Sequence, residues 1–367
     1  MNKFNNTAMQ GPNVGFYDWT RRSFGGNGRA FDAATGPSGF AFLQSSLELI
    51  QPKLVEPLQN TTYQRDITVD SGGGFVESIS HWALNYASTG GNAYGLQGTN
   101  NTDIPLVQVD VEKGNWKAFP WTQGMLVTYI DLQKMESARR YGQAPPVSLQ
   151  ELYEKAVRSV WWKALDRVTY LGWLGLPGLI DNNSGANAVA QTTAATVESA
   201  TTWAAKMALT DGKGPQYILN DINTGLTTTL NNSGYNVQDG MADTLLLPTA
   251  QFSLLTNMMT IGGVAGNESI LSYVKKNSFY AQATGRELNI YPLPPQWIAG
   301  QGNSGTDRAV FYRNTADDVY LKIPQPMQMA MTAPATRVGP GYETVWAGCI
   351  GQTIWLRSTT ALYMDGI

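Results

Sequence analysis

Few residues of this chain could carry catalysis. His81 and Cys349 are the single histidine and the single cysteine among 367 residues, and a zinc site, which needs several such ligands, is excluded on that ground. A nucleophilic triad would have to use His81, which stands beside Trp82 in a projecting segment where a loop or subunit contact is the favoured interpretation. The glycine-rich segments 71–74 and 261–266 match neither phosphate-binding fingerprint and are interpreted as turns. The sequence predicts no catalytic residue, no metal and no cofactor.

A carbohydrate-active enzyme is the one enzyme class that stays open, because two carboxylates and aromatic platforms suffice to bind or cleave a sugar. Asp317 with Asp318, and Asp131 with Glu136, are nominal pairs. Neighbouring residues of a strand point to opposite faces, so Asp317 and Asp318 would not easily share one bond. Nothing distinguishes either pair from solvated charges. We therefore expect a protein that is not an enzyme, with a soluble carbohydrate-active enzyme as the weaker alternative.

The amino-acid composition limits the kinds of molecule that this protein can be expected to bind. Charged residues make up 14% of the chain and hydrophobic residues 43%, with 25 Lys+Arg against 28 Asp+Glu. The low charge predicts a surface covered by neutral polar groups or by neighbouring subunits, and a net charge of -3 disfavours a dedicated DNA-binding protein. The most apolar stretch, 171–180, is far shorter than the ~20 residues that span a bilayer. The first residues lack a signal peptide, so we expect no membrane role and no export.

Residues 1–45 combine Gly, Asn and Ser with scattered aromatics and show no helical or strand period. This pattern predicts an extended arm. An arm that exposes so many aromatic side chains needs a partner surface to cover them. The candidate subunit contacts of the arm are Phe16, Tyr17, Trp19, Arg21, Arg22 and Phe24.

Residues 63–69 have a strand-like pattern, and residues 70–122 predict a long projecting hairpin. The flanks, 75–82 and 104–111, alternate like strands, and 88–103 has the composition of turns. A hairpin this long is only marginally stable alone, so a neighbouring molecule is the natural surface for it. The candidate contacts here are His81, Trp82, Tyr94 and Trp116.

The second half of the chain begins with a long helix. Ser148 and Glu151 form a Ser-x-x-Glu capping box, and apolar residues recur at steps of three and four until Gly172. Beyond Pro177 the pattern becomes α/β. It predicts helices at about 188–209, 216–232, 249–259 and 267–277, strands at 243–247 and 288–291, and returning strands at 308–312, 319–323, 342–347 and 353–357.

The order of these parts resembles the major capsid proteins of tailed phages, which have the Hong Kong 97 fold. Segments 114–121, 170–181 and 361–367 look like a phage capsid subfamily long catalogued as uncharacterised, and the resemblance covers nearly the whole chain. It implies an α+β fold. The implied parts are an N-arm at 1–62, an E-loop at 63–125, a P-domain at 126–177 and 306–367 with a spine helix at 148–172, and an A-domain at 178–305.

The resemblance implies a structural protein that assembles into hexamers and pentamers of an icosahedral virion shell in the host cytoplasm. A separate scaffolding protein is expected, because residues 1–45 are too short and too rich in glycine for a built-in scaffold; a cement protein and a portal are further candidate partners. Arg21, Arg22 and Arg29 would contact packaged DNA weakly from inside, or equally hold subunit contacts. A cellular nanocompartment shell of the same fold is the alternative.

Some members of the family join a lysine of the E-loop covalently to an asparagine near the returning strands. Lys113 and Lys117 could supply the amine, but no asparagine follows Asn314. The resemblance therefore predicts a non-covalent shell for this chain.

Overall fold

The computed structural model describes residues 61–89, 106–140, 148–185, 187–234, 237–261, 264–334 and 340–367. The predicted arm and the turn region around Tyr94 lie outside these ranges. The helices are α1 (Tyr63–Asp66), α2 (Tyr129–Arg140), α3 (Leu149–Leu171), α4 (Trp203–Met207), α5 (Gly214–Ser233), α6 (Val237–Gly240), α7 (Thr249–Leu255), α8 (Ile270–Asn277), α9 (Phe279–Thr284) and α10 (Pro295–Ile298).

The strands follow the same chain order. They are β1 (Thr68–Ser71), β2 (Ser78–Thr89), β3 (Leu106–Thr128), β4 (Ala190–Thr193), β5 (Thr244–Pro248), β6 (Met258–Ile261), β7 (Val264–Ser269), β8 (Asn289–Leu293), β9 (Arg308–Tyr312), β10 (Val319–Ile323), β11 (Gln325–Pro334), β12 (Gly341–Gly351), β13 (Thr353–Trp355) and β14 (Leu362–Asp365).

Helix α3 begins and ends where the sequence signals predict. The Ser148 side chain accepts a hydrogen bond of 3.2 Å from the Glu151 backbone N–H, which satisfies one of the free donors at the helix start. At the other end Gly172 has a φ of 70°, and an added Cβ would lie 1.8 Å from the Leu176 carbonyl oxygen. Only glycine fits this backbone position, so the chain turns sharply here.

Helix α3 packs on an antiparallel sheet with the order β11-β12-β3-β2. The rings of Trp161 and Trp121 meet edge to face at 4.9 Å, and Val157 is buried in a cluster with Met125 and Trp346. The helix therefore buries one face against β3 and β12. Near its end it also buries Asp166 and Tyr170, which are hydrogen-bonded to residues 63–66. A smaller sheet of order β1-β10-β13 adds its apolar residues to the core under the helix.

A five-stranded mixed sheet with the order β4-β14-β9-β5-β8 forms the second core. Every residue of β5, β9 and β14 is buried, and α5 packs on this sheet through Ile222 and Leu226. Strands β9 and β14 come from 306–367, whereas β4, β5 and β8 come from 178–305. The sheet thus takes strands from both sides of the predicted boundary between P-domain and A-domain, and that boundary stays a prediction.

Two segments that carried the resemblance, 170–181 and 361–367, meet in this core. The Tyr363 hydroxyl donates a hydrogen bond of 2.7 Å to the Leu179 carbonyl. Arg308 binds Asp365 with two parallel bonds, Nε to Oδ1 at 2.6 Å and Nη2 to Oδ2 at 3.0 Å, and its Nη1 donates to the Ile180 carbonyl at 2.9 Å. Both segments are packing motifs that hold the chain end inside the fold.

Some predicted elements are wrong. The helix predicted at 188–209 is instead strand β4 and short helix α4, because residues 190–193 pair in parallel with β14, which the local pattern does not contain. The strand-like stretch at 63–69 begins as α1, since Asp166 accepts the backbone N–H groups of Thr62 and Tyr63. Strand β11 was not predicted.

Candidate subunit interface

The hairpin of β2 and β3 is the most extended feature of the described chain. The two strands pair from Ser78 opposite Lys117 to Thr89 opposite Leu106, and 12 residues of strand β2 correspond to a length of about 40 Å. Two hydrogen bonds tie its root to the remainder of the subunit. The Lys117 backbone N–H donates to the Gln352 side-chain Oε1 at 3.1 Å, and the Gln352 backbone N–H donates to the Lys117 carbonyl at 3.2 Å. The outer part of the hairpin has no such support from the described residues of its own chain.

His81 lies at the point where the hairpin leaves the subunit. Its Nε2 is hydrogen-bonded to the Tyr320 hydroxyl of β10, and its ring stands edge to face with Trp116 at 5.4 Å. Gly114, opposite His81, leaves room for the Trp116 ring, which an added Cβ would approach to 2.5 Å. Burial raises the pKa of Tyr320 to about 12, with Asp70 adding to the effect. His81 is therefore a packing residue of the hairpin root.

Beyond this root one face of the hairpin is apolar. Residues directly opposite each other in an antiparallel pair share a face, and so do residues two apart along a strand. Trp82 and Leu84 of β2 therefore share a face with three valines of β3. We call these five residues the apolar stripe: Trp82, Leu84, Val107, Val109 and Val111. Their exposed fractions are 69%, 54%, 70%, 56% and 50%, so the stripe is open along its whole length.

The other face of the same segment carries exposed Leu106 at its outer end and is polar from Gln108 to Glu112. Gln108, Asp110 and Glu112 alternate with the valines along β3 and are exposed as well. Lys113 borders the stripe, with its Nζ 5.7 Å from the centre of the Trp82 ring. A hairpin with both faces in water would not need apolar residues on one face and polar residues on the other. The alternation is typical of a strand pair whose apolar face is covered by another molecule.

The predicted contact residues fall into two groups. Those of the arm and Tyr94 lie outside the described residues: Phe16, Tyr17, Trp19, Arg21, Arg22, Phe24 and Tyr94. Trp82 is exposed and belongs to the apolar stripe, whereas His81 contacts both Trp116 and Tyr320 within the same chain. The prediction missed Leu84 and the three valines, although alternation at 104–111 already indicated a strand; the missing information was its register with β2.

The structure gives the surroundings of three of the four nominal carboxylates. Asp318 is buried and accepts a hydrogen bond of 3.2 Å from Arg313, whereas Asp317 is exposed; burial raises the pKa of Asp318. Asp131 accepts a hydrogen bond of 2.6 Å from the Thr128 hydroxyl at the start of α2. Among the described residues no group of three or more His, Cys, Asp or Glu side chains could hold a metal ion. Within the same ranges no helix has the length and apolarity that crossing a membrane requires.

Comparison with known proteins agrees with this architecture. A family model described as major capsid protein matches residues 91–367, and no curated protein matches the chain in sequence. The capsid of Myoviridae phage XM1 has a similar fold, with a TM-score of 0.66 and 16% identity over 88% of this chain and 98% of the other. A structure from Microbacterium phage Oxtober96 has a TM-score of 0.55 and 10% identity, covering 89% of this chain and 98% of the other. A structure from Mycobacterium phage Adephagia has a TM-score of 0.54 and 12% identity, covering 91% of this chain and 98% of the other.

Proposed function

The chain belongs to the major capsid protein family, and on that premise we propose that its hairpin of β2 and β3 joins subunits into hexamers and pentamers of an icosahedral phage shell. The protein is a structural capsid subunit with the Hong Kong 97-like α+β fold. Its role is to form the shell of a virion.

The apolar stripe is the observation that carries this proposal. Five apolar side chains lie on one face of a hairpin that the described part of its own subunit leaves uncovered. Burying apolar surface stabilises an interface by about 25 cal/mol per Å². A second copy of the chain is the partner that a shell supplies at every position, so the same contact repeats throughout the assembly.

The remaining parts of the proposal follow the predicted organisation. The A-domain at 178–305 would surround the axes of the hexamers and pentamers, while the N-arm at 1–62 and the E-loop at 63–125 would reach over neighbours. The P-domain, at 126–177 and 306–367, would lie between them. The shell would be non-covalent and would assemble in the host cytoplasm with a separate scaffolding protein. A portal and a cement protein are candidate further partners.

Electron microscopy with size-exclusion chromatography tests the proposal directly. The full chain is expressed alone and with a scaffolding protein from the same phage. Shells, tubes or isolated hexamers and pentamers are the expected products. A subunit that stays monomeric in both conditions would refute the proposal.

A matched pair of variants tests the apolar stripe. Val109→Lys places a charge inside the stripe, whereas Gln108→Lys places the same charge on the polar face, one residue away in the same strand. Both positions are exposed, so both variants should fold with unchanged melting temperatures. We expect Val109→Lys to abolish shell formation because the lysine would be desolvated in the contact. Gln108→Lys should assemble normally, and equal assembly of the two variants would contradict the assignment.

A further inference from the structure

A buried polar cluster attaches helix α1 to helix α3. Its two carboxyl groups accept hydrogen bonds from opposite partners. Asp166 of α3 accepts the backbone N–H groups of Thr62 and Tyr63 at 3.2 and 3.1 Å, whereas Asp66 of α1 accepts the Tyr170 hydroxyl of α3 at 2.6 Å. The Tyr170 hydroxyl is also hydrogen-bonded to the Thr62 hydroxyl at 2.7 Å. We call this cluster the α1 latch, and its residues are Thr62, Tyr63, Asp66, Asp166 and Tyr170.

The two carboxyl groups of the α1 latch differ in how their charge is compensated. Asp66 is 0% exposed, and the Arg65 guanidinium binds it through Nε at 2.5 Å and Nη2 at 3.0 Å. Asp166 is 1% exposed, and among the described residues no cation forms an ion pair with it. Burying a carboxylate without a cation is costly, whereas burying the protonated acid is not. The closed latch therefore favours the neutral form of Asp166.

The other titratable groups around the latch do not change charge near neutral pH. Burial raises the pKa of Tyr63, Tyr170 and Tyr312, so these phenols stay neutral below about pH 10. Tyr312 of β9 donates its hydroxyl to the Asp66 carbonyl. The Arg65 guanidinium lies 4.7 Å from the centre of the Tyr291 ring of β8 and stays positive. Titration of the latch in mildly acidic solution is therefore that of its carboxyl groups.

The chain that follows the latch is held by separate contacts. Ile67 is 1% exposed, and the backbone N–H and hydroxyl of Thr68 donate to Asn314 Oδ1 at 3.1 and 3.2 Å. Strand β1 then pairs in parallel with β10. The latch can therefore open while β1 stays in its sheet. Opening moves the point where the preceding chain is attached from Thr62 to Ile67, about 17 Å of extended chain.

We propose that the α1 latch is a pH-sensitive switch, which is closed when Asp166 is protonated and opens locally when Asp166 ionises. This inference goes beyond the proposed function and does not depend on it, because the switch lies within one subunit. Its effect is to shorten or lengthen the free chain that precedes α1. Assembly contacts made by that chain would thereby gain reach as pH rises.

The size of the effect follows from the difference between the two states of the latch. Burial raises the pKa of Asp166 from 3.8 to about 6 in the closed latch, the charge of Asp66 adds to this effect, and two backbone hydrogen bonds oppose it. In the open latch the carboxyl group is in water and has its ordinary pKa. The opening constant therefore rises about tenfold per pH unit between the two pKa values, and about 100-fold in all.

Hydrogen exchange with mass spectrometry tests the inference on the unassembled full-length subunit. Exchange is followed between about pH 4 and about pH 7.5 and corrected for its intrinsic pH dependence, so that it reports local opening. The peptide over residues 62–67 reports the latch, and a peptide of α5 with buried Ile222 and Leu226 reports the subunit as a whole. We expect protection of the first peptide to fall by up to about 100-fold as pH rises. Protection of α5 should stay constant.

Three variants separate the charge of Asp166 from the other contacts. Asp166→Asn keeps an acceptor for the two N–H groups without a charge, so its protection should not depend on pH. Tyr170→Phe removes the hydroxyl bonded to Asp66 and Thr62 and should lower protection at every pH, with the wild-type pH dependence. Asp317→Asn changes an exposed carboxyl group and should behave like the wild type. Melting curves verify folding, and the wild-type profile decides alone if Asp166→Asn does not fold.

Three results would overturn the inference. Wild-type protection of residues 62–67 that does not change with pH would show that the latch does not respond to ionisation. An equal fall in α5 would show that the whole subunit opens and that there is no local switch. A pH dependence that persists in Asp166→Asn would assign the titration to another group. Because the measurement uses single subunits, failure of the protein to form shells would refute the proposed function and leave this inference standing.

Discussion

Asp166 provides a quantitative test of how residues 62–66 are held against α3. Its carboxylate is 1% exposed on α3 and accepts, at Oδ1, the backbone N–H groups of Thr62 at 3.2 Å and Tyr63 at 3.1 Å. Burial raises the pKa of Asp166 from 3.8 to about 6, although these two hydrogen bonds favour the charged form. The negative charge of Asp66 nearby raises it further.

The direction of the pH dependence follows from this shift. A carboxyl group whose pKa is higher in the folded than in the unfolded chain binds more protons when folded, between the two pKa values. The contribution of Asp166 to the free energy of unfolding is therefore fully present below about pH 4 and is lost as pH rises through about 6. A shift of roughly two units at 1.36 kcal/mol per unit corresponds to about 3 kcal/mol over the whole window.

Asp166→Asn should remove this dependence. Asparagine keeps an oxygen that can accept both N–H groups but carries no charge to desolvate. We expect the variant to be more stable than the wild type at neutral pH by up to about 3 kcal/mol, and nearly equal to it at about pH 4. Asp166→Ala is the control: it leaves two N–H groups without this acceptor and should be less stable than the asparagine variant by about 1–3 kcal/mol.

Urea unfolding of unassembled subunits at several pH values between about 4 and about 7.5 measures the effect. The difference between wild type and Asp166→Asn isolates this one carboxyl group, because the other titrating groups are common to both proteins. A difference that does not change with pH would show that Asp166 titrates normally and would refute the reasoning. So would an alanine variant as stable as the asparagine variant.

Two further substitutions test the packing of the cores. Arg308→Met removes one partner of a buried ion pair and should lower the free energy of unfolding by about 3–5 kcal/mol. The control, Arg286→Met at an exposed position, should change the melting temperature little. Equal melting temperatures of the two variants would contradict a stabilising role of the Arg308–Asp365 pair. Gly348→Ala would place a Cβ 2.8 Å from the Trp161 ring and should be destabilising, while Gly124→Ala, whose nearest neighbour is a flexible side-chain oxygen at 3.9 Å, should be tolerated. Thermal unfolding compares the pair, and the reverse order would show that α3 and β12 pack differently.

Elements with local signals were predictable from the sequence. Ser148, Gly172 and the apolar residues between them determine α3, since capping and helix periodicity act within a few residues. Helix α5, predicted at 216–232, spans Gly214–Ser233, and the strands predicted at 308–312 and 319–323 have those bounds. The resemblance to tailed-phage capsid proteins, based on the order of such elements, is confirmed by the family match.

Features that depend on a distant partner were not predictable in this way. Residues 190–193 form a strand because β14, more than 150 positions later, offers a parallel edge. Residues 63–66 turn into a helix because Asp166, about 100 positions later, accepts two backbone N–H groups there. In both cases the decisive hydrogen bonds are long-range, so local propensity is overridden by tertiary contacts.

The candidate interface shows the same division. The sequence by itself determined that 104–111 alternates between polar and apolar residues and that the segment projects as part of a hairpin. Only the tertiary structure decided that Leu84 and Trp82 join three valines on one face, because the register between β2 and β3 sets which residues lie opposite each other.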